Sequence, residues 1–374
     1  MVSKDIFEIK DNFLKDAGVK SELIYGNRAD KPFISIMIPT YERYDYLLKT
    51  VESALQQETQ IPFEIVVVDN SEQINMKFVE WLKEKEYTKV CYYKNSQNLG
   101  MFGNWNRCIT LSQGEWVLIL NDDDEITPDY IERMGRIVMK KSDIPMLGCT
   151  NIAIDENGIP CFQQEESNKI KKMQKELMKR KLEKGEVLLE YKPRDLYVNW
   201  LTLTGGTLIN KKAAIKVGGF NTESFPCADV IFVTQLAVLE GSVFVNYRKL
   251  FRYRIAVNES FNSSTNVKFA EYISVFCQYM GEKCRIVPNW VAEWHRSHKV
   301  VSCENDVYQL FVSENRANLE REFEKLNKEL GIVKRGKISA YIHKKVVLLH
   351  FNLFLLFRAE YYKNQKFNDK KTDK

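Results

Sequence analysis

Short apolar runs, each closed by a cluster of polar residues, recur along the first third of the chain. Phe33-Ile34-Ser35-Ile36-Met37-Ile38 ends in Pro39-Thr40-Tyr41-Glu42-Arg43, Phe63-Glu64-Ile65-Val66-Val67-Val68 ends in Asp69-Asn70-Ser71, and Val90-Cys91-Tyr92-Tyr93 is a shorter third run. Trp116-Val117-Leu118-Ile119-Leu120 is the fourth, and Asp122-Asp123-Asp124 follow it. Runs of this length between polar residues predict buried strands. Between the first two, Leu47, Leu48, Val51, Ala54 and Leu55 share one helical face behind Asp45, an expected N-cap; Phe78, Val79 and Leu82 mark a second helix. Alternating strands and helices at this spacing imply right-handed crossovers and a parallel sheet, an α/β fold with a mostly parallel central sheet.

The apolar pattern resumes at Met146-Leu147-Gly148-Cys149 and at Thr207-Leu208-Ile209. Between them Asn168 to Lys184 carries eight basic and two acidic residues, a solvated helix or insert suited to anionic lipid or a phosphorylated acceptor. Beyond Ile255 helical periodicity takes over: Phe269 to Phe276, Leu319 to Leu330 and Ile338 to Tyr361 read as helices. The last is apolar nearly all round over Val346 to Phe357 yet shorter than the roughly 20 residues of a bilayer span. It suits packing on the main domain or lying in a membrane interface with its lysines at the headgroups. The expected organisation is an N-terminal extension (1–31), an α/β domain (32–255) with a basic insert at about 163–190, and a helical C-terminal region (256–374).

The aspartate triplet changes the picture from fold to chemistry. Ligands of open α/β sheets sit beyond the carboxyl ends of the strands. In extended backbone Asp122 and Asp124 share a side, and two such oxygen donors suit a hard divalent cation that also takes phosphate oxygens. Helix capping does not account for the triplet, because Thr127 and Pro128 are expected to supply the N-cap and first helical position of the next helix.

Composition narrows the classes further. The 374 residues are 44% hydrophobic, enough for a sizeable core, and the net charge of +5 is too mild for nucleic acid as the main partner. The basic run also lacks the interleaved aromatics of a single-strand binder. Eight cysteines without C-x-x-C pairs are expected to be reduced and mostly buried, and no leader pattern opens the chain, so a cytoplasmic location is expected. All four histidines lie beyond residue 290; His295 and His298 without a carboxylate partner make a poor metal site.

Taken together, the Pro39-Thr40-Tyr41 strand end, Asp69-Asn70-Ser71, the Asn98-x-Gly100 loop and Asp122-Asp123-Asp124 resemble the family 2 glycosyltransferases with the GT-A-type fold, inverting enzymes of bacterial surface polysaccharide assembly. Downstream, Thr204-Gly205-Gly206 to Lys212, the Val217-Gly218-Gly219-Phe220 turn and Phe225-Pro226-Cys227-Ala228-Asp229 continue the resemblance, which covers about residues 33 to 255.

The resemblance implies Pro39, Thr40, Tyr41 and Glu42 in a nucleotide pocket, Asp69 at a uracil-like base, Asn98, Gly100 and Asn104 shaping that pocket, and Asp122 and Asp123 at the donor. Asp124 with Asp122 would hold Mg²⁺ or Mn²⁺, Thr204, Gly205 and Gly206 would lie on the acceptor side, and Asp229 would be the catalytic base. Ala228 departs from the family, which usually carries an acid there. The implied partners are a nucleotide-sugar donor, UDP-sugar preferred, and a glycan or lipid-linked oligosaccharide acceptor, with peripheral membrane contact through 338–361 and the basic insert. Two other readings stand beside a metal-dependent hexosyltransferase: a nucleotidyltransferase making an activated sugar, against which Pro39-Thr40-Tyr41-Glu42 lacks a glycine-rich triphosphate loop, and a catalytically silent glycan- or partner-binding protein.

Overall fold

The computed structural model describes residues 2–161, 176, 178–183, 185–198, 205–255, 263–284, 287–310, 316–357 and 359–363. Among the described residues eleven strands form one mixed sheet: β1 (Ser21–Tyr25), β2 (Ile34–Thr40), β3 (Phe63–Asp69), β4 (Val90–Asn95), β5 (Trp116–Ile119), β6 (Glu125–Ile126), β7 (Met146–Ile154), β8 (Gly185–Tyr191), β9 (Leu208–Asn210), β10 (Val243–Arg254) and β11 (Ala359–Lys363). The helices are α1 (Tyr44–Leu55), α2 (Met76–Glu84), α3 (Gly100–Leu111), α4 (Tyr130–Lys140), α5 (Pro193–Val198), α6 (Lys211–Lys216), α7 (Ala228–Glu240), α8 (Ser263–Cys284), α9 (Asn289–Leu310), α10 (Arg316–Glu329) and α11 (Lys337–Phe357).

The strand order is β1-β4-β3-β2-β5-β9-β7-β10-β8-β11, with β6 against β10. The block β4-β3-β2-β5 is parallel, as is β7-β10, while β9 joins the two blocks antiparallel to both neighbours. The strand alternation expected from the sequence sorts the core in two. Ile34, Ile36 and Ile38 face α1, α2 and α4, whereas Met37, Val66, Val68 and Val117 face α3 and α7. Chain order matters more than strand count here. From β2 the chain steps outward through β3 to β4, then returns past β2 to lay down β5 on its other side. That reversal opens a crevice at the carboxyl ends of β2 and β5.

Several expectations are corrected. Helix α1 begins at Tyr44 with Arg43 in the cap position, so Asp45 lies in the first turn. Helix α4 begins at Tyr130, leaving Thr127 and Pro128 outside it; the Thr127 hydroxyl donates to Asp129 Oδ1 at 2.7 Å. Asp122 and Asp123 sit in a turn, not in extended chain, so strand alternation does not decide where they point.

Much of the basic segment lies outside the described residues, but its end, from Gly185, is strand β8, buried between β10 and β11. Apolar Val187-Leu188-Leu189 outweighs the lysines before it. The last helix stops at Phe357, and Ala359–Lys363 returns as β11, antiparallel to β8. The stretch before residue 32 contributes the edge strand β1.

Helices α8, α9 and α10 enclose a separate small core around Ala270, Val300 and Phe323. His295 and His298 are buried in α9 against α11: His295 Nδ1 lies 2.9 Å from His343 Nε2, and His298 Nε2 lies 2.9 Å from Ser339 Oγ. Burial pushes His295 down to about 3 and His343 to about 4, keeping the rings neutral. All eight cysteines are free, five of them buried.

Candidate functional site

A cavity of about 940 Å³ opens at the reversal point between β2 and β5. Its polar end is built from strand termini. Thr40, the last residue of β2, donates its hydroxyl to Asp122 Oδ2 at 2.7 Å, and the Tyr41 N–H reaches the same oxygen at 3.3 Å. Arg43 donates to Asp123 Oδ2 at 2.6 Å and lies 3.7 Å from Asp122. Asp124 accepts from the Arg254 N–H at 2.9 Å and from the Asn121 amide at 3.2 Å, which ties the turn to the end of β10.

Arg254 is the clamp of that end. Its guanidinium, buried with 2% exposure, donates to the carbonyls of Asp123, Asp155 and Glu156 and to Glu125 at 2.5 Å. The aspartates remain under-compensated. Burial raises Asp122 to about 6, with Asp123 adding to the effect; burial raises Asp123 against the pull of Arg43. Asp124 is held well above the carboxylate range by burial and then by the neighbouring Asp123 charge.

A divalent cation would supply the missing countercharge, so these carboxylates fit one chemically. Among the described residues no three metal-ligating side chains converge into a closed cage. A cation held by Asp122 and Asp124 would therefore draw the rest of its shell from water and a ligand's phosphate oxygens, the usual habit of Mg²⁺.

The floor of this end is a chain of amides. Asn70 donates to Asn98 Oδ1 and the Gly100 carbonyl and accepts from Asn95 and the Leu99 N–H. Asn104 accepts from Asn95 and donates to the Val68 carbonyl, and Gly100 opens α3 with φ +69°. Amides so fully paired, three of them buried, hold the pocket wall in one arrangement.

The other end is aromatic. Tyr247, Phe251 and Tyr253 alternate along β10 with Val245 and Lys249 on the same lining, joined by Tyr191 of β8, Phe225 and Phe269. Irregular pairing with β7 on both sides of Lys249 re-aims this part of the strand. Asp229 lines the cavity from the first turn of α7, with Cys227 in the cap position.

Of the residues singled out in the sequence, Pro39, Thr40, Tyr41, Asn98, Gly100, Asn104, Asp122, Asp123, Asp124, Gly205 and Asp229 share this lining. Glu42 and Asp69 are not on it. Asp69, 1% exposed, accepts from the Tyr92 hydroxyl at 2.5 Å and the Ser71 N–H at 2.8 Å, and its neighbour Asn70 faces the cavity instead. Gly206 packs on the Phe251 ring, and Thr204 lies outside the described residues. Arg43, Arg254 and the β10 aromatics were not found from sequence; Asn70, one residue past the expected position, carried a signal in the Asp-Asn-Ser strand end.

Residues 35–187 match the family model "Glycosyl transferase family 2". An uncharacterized glycosyltransferase of Methanocaldococcus jannaschii is 32% identical over 132 residues, 34% of this chain and 45% of that protein. The Campylobacter jejuni GalNAc(5)-diNAcBac-PP-undecaprenol beta-1,3-glucosyltransferase is 31% identical over 96 residues, 25% of this chain and 31% of its own length. These alignments span less than half of either relative. Among solved structures, S. aureus TarS 1–349 in complex with UDP-GlcNAc superposes with a TM-score of 0.53 at 13% identity, covering 86% of this chain and 90% of that one. Similarity to glycosyltransferase family 2 thus covers residues 35–187, and the likeness to TarS is one of fold.

Proposed function

We propose that the chain is an inverting, metal-dependent hexosyltransferase that moves a sugar from a nucleotide sugar, UDP-linked by preference, to a hydroxyl of a lipid-linked glycan acceptor during surface polysaccharide assembly of the capsule or O-antigen type. One observation carries this reading. Motifs separated by up to about two hundred positions, from Pro39 to Asp229, line a single cavity together with the aspartate turn and the ring surfaces of β10. Displacing a nucleoside diphosphate builds negative charge on the leaving phosphates, and a divalent cation at Asp122 and Asp124 would offset it electrostatically. Thr40 and Arg254 hold those carboxylates in place. Asp229 takes the proton of the incoming hydroxyl, a transfer that needs only hydrogen-bond reach across the same cavity.

The related proteins support the choice of substrates. TarS is seen with UDP-GlcNAc, and the Campylobacter relative is named for an undecaprenol-linked glycan. A nucleotidyltransferase fits less well, because β2 runs into Pro39-Thr40-Tyr41 with no glycine-rich phosphate loop.

Calorimetry with UDP in the presence and absence of Mn²⁺ tests the reading on Asp124→Ala. The expected outcome is metal-enhanced binding in the natural protein and no metal effect in the variant. A UDP affinity that ignores both the metal and the substitution would overturn the metal role. If no nucleotide sugar in a panel raises the melting temperature, the transferase reading itself fails.

A further inference from the structure

Helix α11 is fastened to the protein along one edge only. His343, 8% exposed, meets His295, and Ser339 receives both the Trp294 indole N–H at 2.9 Å and a contact from His298. On the adjoining side Ile338, Ile342, Val346, Leu349 and Leu353 follow the spacing that places residues on one helical stripe, with Tyr341 at its margin, and all six are exposed, Ile338 at 78%. The stripe continues onto neighbouring elements. Trp290, at the start of α9, is 72% exposed, Val333 in the preceding connection is exposed, and a groove lined by Trp294, Lys337, Ile338 and Ile342 lies between them.

So much adjoining apolar surface marks a contact site rather than ordinary surface. Its charge says what kind. From Gly331 to Arg358 the chain carries six basic residues (Lys334, Arg335, Lys337, Lys344, Lys345, Arg358) and no acidic one. Lys334 is paired with Glu304, whereas Lys345, at the margin of the stripe, and Lys344, farther round the same helix, are exposed. A second copy meeting this face would bring like charges together, which opposes self-association. Among the described residues no helix is long and apolar enough to cross a membrane. An exposed apolar stripe flanked by lysines matches a helix lying in the headgroup region of an anionic bilayer.

We infer that α11, with Trp290 and Val333, is a docking face for an anionic membrane surface, seating the outer stripe among the acyl boundary and its lysines among lipid phosphates. This does not depend on the transferase reading, because docking is read without any sugar nucleotide.

The test is co-sedimentation of the full chain with vesicles of phosphatidylcholine alone or with a third phosphatidylglycerol, alongside light scattering for oligomeric state. The natural protein is expected to partition onto the anionic vesicles. Ile342→Asp with Leu349→Asp should weaken partitioning at least about tenfold, since two aliphatic side chains leave the acyl boundary. Both sites are exposed, so the melting temperature should hold and show that the variant is folded. Lys344→Glu with Lys345→Glu should remove roughly fivefold or more per lysine and abolish the preference for the anionic lipid. The inference is overturned if the natural protein stays in the supernatant with both vesicle types, if the double aspartate variant sediments as well as the natural protein, or if light scattering shows a dimer that the aspartates dissociate.

Discussion

The two ends of the cavity are built on opposite principles. At the polar end most side chains are already spoken for: Asn70, Asn98, Asn104, Asp122 and Asp124 each hold two or more partners, and Thr40 donates to Asp122. At the aromatic end Tyr247 and Tyr253 are only partly buried and Lys249 is exposed, offering ring faces and one cation to whatever enters. A preorganised network suits a ligand part that does not vary, such as a diphosphate, because its ordering cost is already met by the fold. Ring surfaces with few fixed hydrogen bonds suit a part that varies in shape. The contrast makes a claim about separability: changes at one end should leave the other's function alone.

Asp229 gives the sharpest test of that claim, since it lines the cavity from the first turn of α7 and carries the proposed proton transfer. Asp229→Asn should lower the transfer rate by about 10²–10⁴-fold, the usual contribution of a positioned base. Affinity for UDP with Mn²⁺, measured by calorimetry, should stay within about twofold. If rate and affinity fall together, the two ends are not separable.

Arg254 probes the opposite end through stability. Arg254→Met removes the donors to three carbonyls and to Glu125 and leaves that carboxylate, 15% exposed, with Arg252 alone. Breaking a buried pair from one side costs about 3–5 kcal/mol. Urea unfolding should show this loss, and UDP binding should weaken with it, because the Asp123 carbonyl loses the guanidinium that braces the turn, while the residue 254 N–H still reaches Asp124.

The same contrast explains which parts were legible in the sequence. The polar end collects residues at the carboxyl ends of β2, β3 and β5, and a strand that ends in polar residues announces itself as an apolar run followed by them. Thr40 and the aspartate triplet were readable for that reason. Asp69 lies off the lining: Tyr92 and the Ser71 N–H draw its carboxylate into the core, and Asn70, one position on, stands on the wall. Arg254 looked like the last polar residue of a late strand, because nothing local reveals that β10 pairs beside β7 and brings residue 254 to residue 124. The aromatic end was illegible for the same cause: Tyr191 and Tyr247 meet only through the β8–β10 pairing, and the lysines before Gly185 hid β8 altogether. Helix ends misled where side-chain caps were assumed at Asp45 and Thr127, since tertiary packing placed both helix starts.

Asn70 measures how much the amide chain itself contributes. Asn70→Ala leaves the fully buried Asn95, and with it Asn98 and the Leu99 N–H, with fewer partners. Unsatisfied buried groups cost about 1–3 kcal/mol, so a stability loss of that size and a several-fold weaker nucleotide affinity are expected. Acceptor KM should not move.

Tyr247 supplies the matching measurement at the aromatic end, with the smallest effect of the set. Its ring lines the cavity, while the contact it makes to β7 runs through its backbone carbonyl, which accepts from the Thr150 hydroxyl at 3.1 Å and survives any side-chain change. Tyr247→Leu keeps an apolar body on the strand and removes the ring face. Stability should therefore shift by no more than about 0.5 kcal/mol, as for other partly exposed positions outside a network. Acceptor KM should rise several-fold at unchanged UDP affinity, because a flat ring offers a sugar face a contact worth about 1 kcal/mol beyond simple area. Should Tyr247→Leu instead destabilise the fold as strongly as Asn70→Ala, the aromatic end would be as preorganised as the polar one, and its partial exposure would have to be explained by something other than adaptability to the acceptor.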